Sequence, residues 1–563
     1  MIPSADSAAT PPPIVDAPLV SEEAFSGQPT VRTGIAVAAM ILMLGNILSR
    51  MLGLFREQLA SGLFGTGDPI AAFTIADNVN TLIFDLVISG MLEAALIPVL
   101  AQWATPSFAN RDELRRVSGA LLTLAAIVIG ACVFVGILFA PTIVKLMTSY
   151  GTDDSAHDPS TVSLTVTLVR WILPAVFFLG IGTILMSVLF ALNRVTAPAM
   201  SAAVRNGVIV LAMILLHERL GVKSMVVGIV AGAVLLASMQ SLALLRAGAL
   251  PIPNLHFRHP GVTRVLALYV PIFLGLFIDT VKVIVDRNLA WGAERDALGA
   301  MRYATTLVQM VLGIVAAAIS LAALPTLSRH FAEGNEAGFR DTLGRALGMV
   351  TVLIVPAVLG LAAVAKPTVD LLFHHGATGG TGAHLIVVAL LGYLPGTLCA
   401  AYDQILIFGF YARQNTRTPV IVGIIATCVY FAIALTFVNS LGMLGLVFAN
   451  SAQFAAHVAI MIWLWRRSMT GFGNGRLWRV MRVCFASGIG MALLALGSWL
   501  LLAAGLPESG NGPIKLLREL ALVGVPAAVG AGAYIFALHR FDIDEIRTLR
   551  RAILGKLSPR FAG

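Results

Sequence analysis

From residue 34 onward, mostly apolar runs of about 20 or more residues recur with short polar breaks between them. Each run is long enough to cross the hydrocarbon core of a bilayer as a helix. They predict helices at about 34–62, 70–103, 117–147, 161–190, 199–217, 223–247, 262–291, 298–328, 342–372, 384–411, 418–438, 442–465, 480–504 and 513–538, about fourteen in all. The pattern is that of an all-α polytopic membrane protein. A large soluble protein with buried helices would need polar helix faces that these runs lack.

The polar residues inside the runs are few and regularly placed. Helix 2 carries Asp77, Thr81, Asp85, Ser89 and Glu93, each four positions after the last. That spacing drifts about 40° per step and draws one stripe along a helix. Helix 7 carries Asp279, Lys282 and Asp286 on one face, with Arg287 beside it. Helix 1 places Arg50 and Glu57 seven apart and nearly in line, with Arg56 off that line; helix 8 adds Arg302, Thr305, Thr306 and Gln309. A charge at the bilayer centre costs at least ~2.5–3.5 kcal/mol. Eight or more facing lipid would exceed a typical folding stability of roughly 5–15 kcal/mol, so these groups are expected to face one another or water. Plainer roles compete at three places. Lys282 between two aspartates fits a helix-joining ion pair, Arg56 and Glu57 fit side chains reaching for the interface, and Glu93 fits a solvated helix end.

The chain also resembles itself at a shift of roughly 220–230 residues. "QLASG" (58–62) matches "NLAWG" (288–292), "AALIPVLAQ" (94–102) echoes "LAALPTLSR" (321–329), and "FALNRVTAP" (190–198) echoes "YARQNTRTP" (411–419). The shift spans six helices, an even number, so the halves share one orientation, as in parallel-repeat transporters. The expected organisation is a disordered cytoplasmic tail (1–33), an N-lobe (34–250), a C-lobe (251–466), two unpaired helices (467–540) and a basic tail (541–563). Helices 1 and 7, and 2 and 8, are then equivalent, which puts the polar stripes where the two lobes face each other.

Composition sharpens this picture. The chain has 563 residues, 58% hydrophobic and 12% charged, with mean hydropathy +0.88; a soluble domain carries about 25% charged residues. The net charge of +9 arises mostly from Arg and Lys in alternate loops and in the C-terminal tail. By the positive-inside rule both termini are cytoplasmic, and the basic face suits anionic membrane lipid rather than nucleic acid. A cleaved signal peptide is not expected, since the N-terminus has no basic region and the first apolar run starts late. Cys132, Cys399, Cys428 and Cys484 lie in apolar runs without metal-ligand spacing, so no metal or other cofactor is expected. No phosphate-cradling loop, zinc-protease helix or nucleophile elbow is present, which points to a transporter driven by a gradient and not to an enzyme.

Several motifs carry a family resemblance. "SRMLGLFRE" (49–57), "LFGTG" (63–67), "EAALIPVLAQ" (93–102), "LPTLS" (324–328), "LLFHHGA" (371–377) and "GFYARQNTRTPV" (409–420) together resemble the lipid II flippase (MurJ/MviN) family. That family lies within the superfamily of multidrug, oligosaccharidyl-lipid and polysaccharide exporters. The resemblance covers about residues 34–540. It implies two six-helix lobes plus two helices that extend a groove for a lipid tail. It implies export of an undecaprenyl-pyrophosphate-linked peptidoglycan precursor across the bacterial cytoplasmic membrane by alternating access. Arg50 and Arg56 match two cavity arginines of the family, whose guanidinium forks suit phosphate. At three other such positions this chain departs: Phe84 and Asp85 stand where helix 2 usually has arginines, and "ADR" in helix 8 reads Ala304–Thr305–Thr306. Ser89 and Ala71 replace acidic residues. The expected head-group site is therefore Arg50, Arg56, Glu57, Asp77, Asp85, Asp279, Lys282, Asp286, Arg287 and Arg302, with the last basic residues offsetting the missing arginines. A proton or sodium ion would couple the transport. The alternatives are an ion-coupled multidrug-type exporter using Asp77, Asp85 and Asp279, and a non-transporting membrane scaffold.

Overall fold

A computed structural model of the chain describes residues 29–88, 96, 100, 103, 108–150, 157–469, 475–506 and 513–541. Among these residues there are seventeen helices and no strand. The first lobe comprises α1 (Pro29–Phe64), α2 (Asp68–Ile88), α3 (Phe108–Leu138), α4 (Ala140–Thr148), α5 (Pro159–Ile172), α6 (Pro174–Ala191), α7 (Thr196–Leu220) and α8 (Lys223–Arg246). The second comprises α9 (Pro260–Ala293), α10 (Ala297–Ala332), α11 (Glu336–Ala363), α12 (Ala365–Phe373), α13 (Gly380–Ala412), α14 (Arg417–Leu441) and α15 (Met443–Ser468). Two further helices follow, α16 (Gly475–Gly505) and α17 (Pro513–Arg540). Residues 1–28 and 542–563 of the expected tails, together with Ser89 and Glu93, lie outside the described residues, while residues 29–33, expected in the N-terminal tail, belong to α1.

Three runs expected as single helices are each two. α3 gives way to α4 at Phe139, α5 to α6 at Leu173, and α11 to α12 at Val364. A proline follows each break within three residues (Pro141, Pro174 and Pro367). Proline lacks the N–H of the helical ladder and is tolerated in a first turn, where that N–H is unpaired anyway. Pro141 and Pro367 stand 226 residues apart, at matching places in the two repeats.

The backbone repeats as the sequence does. Asn193 and Gln414, inside the "FALNRVTAP" and "YARQNTRTP" echoes, are the two non-glycine residues with left-handed φ among the described residues, at 56° and 58°. Gly221 and Gly442 end α7 and α14 with φ 55° at both and ψ of −136° and −131°. Residues with a Cβ avoid that region, so glycine is required at both caps. Both pairs are separated by 221 residues.

Among the described residues, ten helical segments are long and apolar enough to span a membrane, and large apolar side chains such as Leu501 and Phe536 stand on the outside. Arg56 and Glu57 of α1, Asp77 of α2 and Arg302 of α10 lie inward instead, with Glu57 only 1% exposed.

The lobes are joined at one end. Ser61, at the end of α1, donates to the Phe373 carbonyl (2.9 Å) and pairs with Thr378 (2.7 Å). The Ala377 N–H donates to the Gly62 carbonyl at 2.8 Å. At the matching end of α9, the Asn288 carboxamide accepts from the Tyr150 N–H (2.8 Å) and donates to Ser149 (3.0 Å). Glycine makes both approaches possible: a Cβ on Gly376 would stand 2.1 Å from the Gly62 carbonyl oxygen, and one on Gly292 would stand 2.5 Å from that of Tyr150. Between the two seats, Tyr303 stacks on Phe373 and donates to the Gly65 carbonyl (3.0 Å), and Thr66 donates to Asp296 (2.6 Å).

Candidate substrate-binding site

Below this closed end, α1, α2, α7 and α10 bring charged side chains from both lobes together. Arg302 presents its fork to Glu57, with Nε on Oε2 and Nη2 on Oε1, both at 2.9 Å. Its Nη1 donates to Asp77 at 2.9 Å, and its guanidinium lies 4.8 Å from the centre of the Phe73 ring. Arg56 folds back on the same Glu57 carboxylate (Nη2 to Oε1, 2.7 Å; Nε to Oε1, 3.1 Å) and sends Nη1 to Asn206 Oδ1 at 3.0 Å. Asn206 in turn donates to the Ser49 carbonyl at 3.0 Å.

Adjacent residues on a helix point about 100° apart, yet Arg56 and Glu57 meet because the long arginine stem bends around α1. Both are turned into the bundle, with side-chain exposures of 22% for Arg56 and 2% for Glu57. Arg50 lies two turns from the cluster. Its Nη1 donates to the Gln309 carbonyl (3.2 Å), and its guanidinium occupies the space a Cβ on Gly313 would need, 2.0 Å from that point. Thr305 and Thr306 turn their hydroxyls back onto carbonyls of α10 (2.8 and 3.1 Å), so they add no charge or free donor there.

The remaining expected residues fall elsewhere. Asp286 accepts a short hydrogen bond from Tyr430 of α14 and lies 3.6 Å from its neighbour Arg287. Lys282 lies 5.0 Å from the centre of the Tyr430 ring, a cation–π contact. The partners of Asp286 thus include a tyrosine on a different helix, beyond the helix 7 stripe itself. Asp85 is exposed, two turns beyond Asp77 on α2. The side chain of Asp279 lies outside the described residues.

Two residues of the cluster escaped the sequence reading: Arg205 and Asn206 of α7. Their signal was present, since an Arg–Asn pair in the middle of "SAAVRNGVIVLAM" is itself costly in a membrane. Neither belongs to a polar stripe, and periodicity alone passes over a single interruption.

Away from the cluster, α11, α16 and α17 enclose an apolar cavity of about 860 Å³, lined by Pro356, Gly360, Met491, Pro526, Gly530 and Tyr534 among others. Tyr534 caps it by donating to the Val352 carbonyl at 3.1 Å. Its walls are almost wholly hydrocarbon, which suits an acyl or prenyl chain. Within the second lobe, His457 and Asp403 form a buried pair at 2.5 Å between α15 and α13. Among the described residues, no group of three or more His, Cys, Asp or Glu side chains is arranged to hold a metal.

Comparison with known proteins places this geometry. The sequence profile of the family described as "Lipid II flippase MurJ" matches residues 60–510. A probable lipid II flippase MurJ of Vibrio cholerae is 27% identical over 438 residues, 77% of this chain and 82% of that protein. One from Bdellovibrio bacteriovorus is 24% identical over 535 residues, covering 95% and 99%. Among solved structures, a lipid II flippase MurJ in an inward closed conformation superposes with a TM-score of 0.72 at 18% identity, over 90% of this chain and all of that one. An inward-facing multidrug resistance MATE family transporter gives 0.64 at 14% identity, over 79% and 99%. These likenesses confirm the helical architecture.

Proposed function

This chain belongs to the MurJ family of lipid II flippases, and on that premise we propose that it carries an undecaprenyl-pyrophosphate-linked peptidoglycan precursor between the leaflets of the bacterial cytoplasmic membrane. It is a multi-pass membrane transporter with a lipid-linked substrate, and both termini lie on the cytoplasmic side. The closed end then faces outward, and the described state receives substrate from the inner leaflet.

The observation that carries this reading is the guanidinium-rich cluster shared by both lobes. Arg56 of α1 and Arg302 of α10 meet on one carboxylate, Glu57, so a group that engages either arginine pulls on both lobes. A pyrophosphate competes for these forks because it offers the same bidentate oxygen geometry with more charge. Arg50, Arg56 and Arg302 bind the head group, and Glu57 and Asp77 hold the arginines in its absence. The α11–α16–α17 cavity takes the prenyl tail. Rocking of the lobes about the site moves the head group across while the tail stays in lipid.

The multidrug-type alternative needs a free carboxylate for a cationic substrate. Of the carboxylates that reading would use, Asp77 is bonded to Arg302, which favours an anion at the cluster; Asp85 stands exposed two turns away on α2, and the Asp279 side chain lies outside the described residues. A coupling proton or sodium ion completes the proposal.

The test is replacement of the resident flippase in a bacterium depleted of its own, with accumulation of precursor followed leaflet by leaflet. The expected result is rescue by the wild-type chain and loss of rescue with Arg302→Ala at equal expression. Failure of the wild-type chain, together with resistance to cationic drugs, would favour the multidrug reading.

A further inference from the structure

The central cluster holds more positive charge than its own carboxylates balance. Among the described residues, Arg56, Arg205 and Arg302 face Glu57 and Asp77, which leaves one positive charge in excess; Arg50, bonded to a carbonyl, raises the excess to two. Arg205 is the member without a counterpart. Its Nε is buried with no hydrogen-bond partner, and among the described residues no carboxylate or carbonyl accepts from its guanidinium. The charges it feels are Arg56, which repels it, and Asp77, which is already bonded to Arg302. Its stem is seated against α8 at Gly232, where a Cβ would come within 3.1 Å of the Arg205 Cγ. The side chain is thus held in place by packing while its charge goes unanswered. The side chain is half-buried, and its shielded Nε without a partner works against folding, so a structural role does not account for the charge.

We infer that Arg205 of α7 is a phosphate-binding residue of the transport site, contacting the substrate's pyrophosphate before Arg56 and Arg302 are released from Glu57. The inference rests on the flippase reading and adds to it a third helix of the first lobe. A pyrophosphate diester carries two negative charges, and the cluster with Arg50 has two to neutralise. Arg205 also takes over a role left open on α2 and α10, where Phe84 and Thr306 stand at positions that the family resemblance reads as arginine. Because Arg205 makes no bond that must first break, it offers the incoming oxygen atoms an unoccupied donor, whereas the donors of Arg56 and Arg302 must be won from a carboxylate.

The test compares the full-length wild-type chain with Arg205→Gln and Arg205→Lys in lipid nanodiscs. Binding of lipid II and of undecaprenyl monophosphate is measured, alongside the melting temperature of each protein without ligand. Loss of one charge-assisted hydrogen bond predicts about ten- to hundredfold weaker lipid II binding for Arg205→Gln. Partial recovery is expected with Arg205→Lys, and a smaller preference for the diphosphate over the monophosphate with Arg205→Gln. The ligand-free Arg205→Gln protein should melt no lower than wild type, since it loses an unpaired charge; a merely structural arginine would lower it. Wild-type binding of lipid II with an unchanged affinity in Arg205→Gln would overturn the inference alone. A wild-type chain that does not bind lipid II would overturn the flippase reading and the inference with it.

Discussion

Glu57→Gln is the most informative single change in this protein. Glu57 is almost fully buried and accepts four N–H contacts, two from Arg56 and two from Arg302, at 2.7–3.1 Å. Glutamine keeps the shape but removes the charge, and its amide NH₂ then faces a guanidinium donor. Breaking a buried ion pair by removing one partner costs about 3–5 kcal/mol. That is about two to four powers of ten in the folded-to-unfolded ratio. Because the two arginines belong to opposite lobes, the loss falls on the contact between lobes and not within either. Melting in detergent, followed by loss of the monodisperse peak, should show a clear drop for Glu57→Gln and for Arg302→Gln. The double variant should lose less than the sum, with a coupling of about 2–3 kcal/mol, the upper end for contacting residues. Strictly additive losses, or a Glu57→Gln protein that melts with the wild type, would refute the view that this carboxylate ties the lobes together.

Three further outcomes follow from the geometry. At the closed end, burial raises the Asp68 pKa, but hydrogen bonds from His157 and Arg295 (2.5 Å each) outweigh it and hold the carboxyl below the ordinary aspartate value. Its support for the closed end is therefore complete above the ordinary aspartate range and is lost as pH falls through the lowered value. Spin labels at the exposed Ser163 and Thr381, in a background without the native cysteines, should separate in acid. In Asp68→Asn they should be separated at every pH. Gly376→Ala and Gly292→Ala each push a Cβ into a facing carbonyl, and both should lengthen the same label distance at neutral pH; an unchanged distance would mean the seats yield without opening. Filling the apolar cavity with Gly530→Leu should slow transport of a long-chain substrate while leaving binding of a short-chain analogue within about twofold; equal loss for both would separate the cavity from the tail.

Much of this architecture could be read from residue order, because a membrane forces its signals to be strong. The echo of "FALNRVTAP" in "YARQNTRTP" reappears as the shared left-handed turn at Asn193 and Gln414. The "QLASG"/"NLAWG" match marks Gly62 and Gly292, which lie at the two equivalent seats. The breaks at Phe139, Leu173 and Val364 were less legible, since proline in an apolar run signals either a kink within one helix or a new start. Pro325, Pro356, Pro395 and Pro526 do lie inside continuous helices. In the site, helical spacing placed Glu57, Asp77 and Arg302 on inward faces, but it could not show which partners each would choose. Arg56 reaches Glu57 through its flexible stem, and Asp286 takes Tyr430 from another helix. Pairings across helices depend on side-chain reach and rotation of the lobes, which sequence spacing does not encode. Arg205 was missed for a related reason: a solitary charge makes no period.

The two glycine seats are related by duplication yet unequally fastened. Main-chain atoms of Gly62 and Ala377 bond directly and, reinforced by Ser61 and Thr378, clasp the α1 side, while among the described residues the α9 side is fastened through side chains, the Asn288 carboxamide on Tyr150 and Ser149 and the Tyr150 hydroxyl on Asn439. Parting of the lobes should accordingly begin beside Asn288 and swing about the firmer edge, like a door on its jamb. A lipid's bulky head would then leave by a single preferred flank, with the opposite flank still shut against ions.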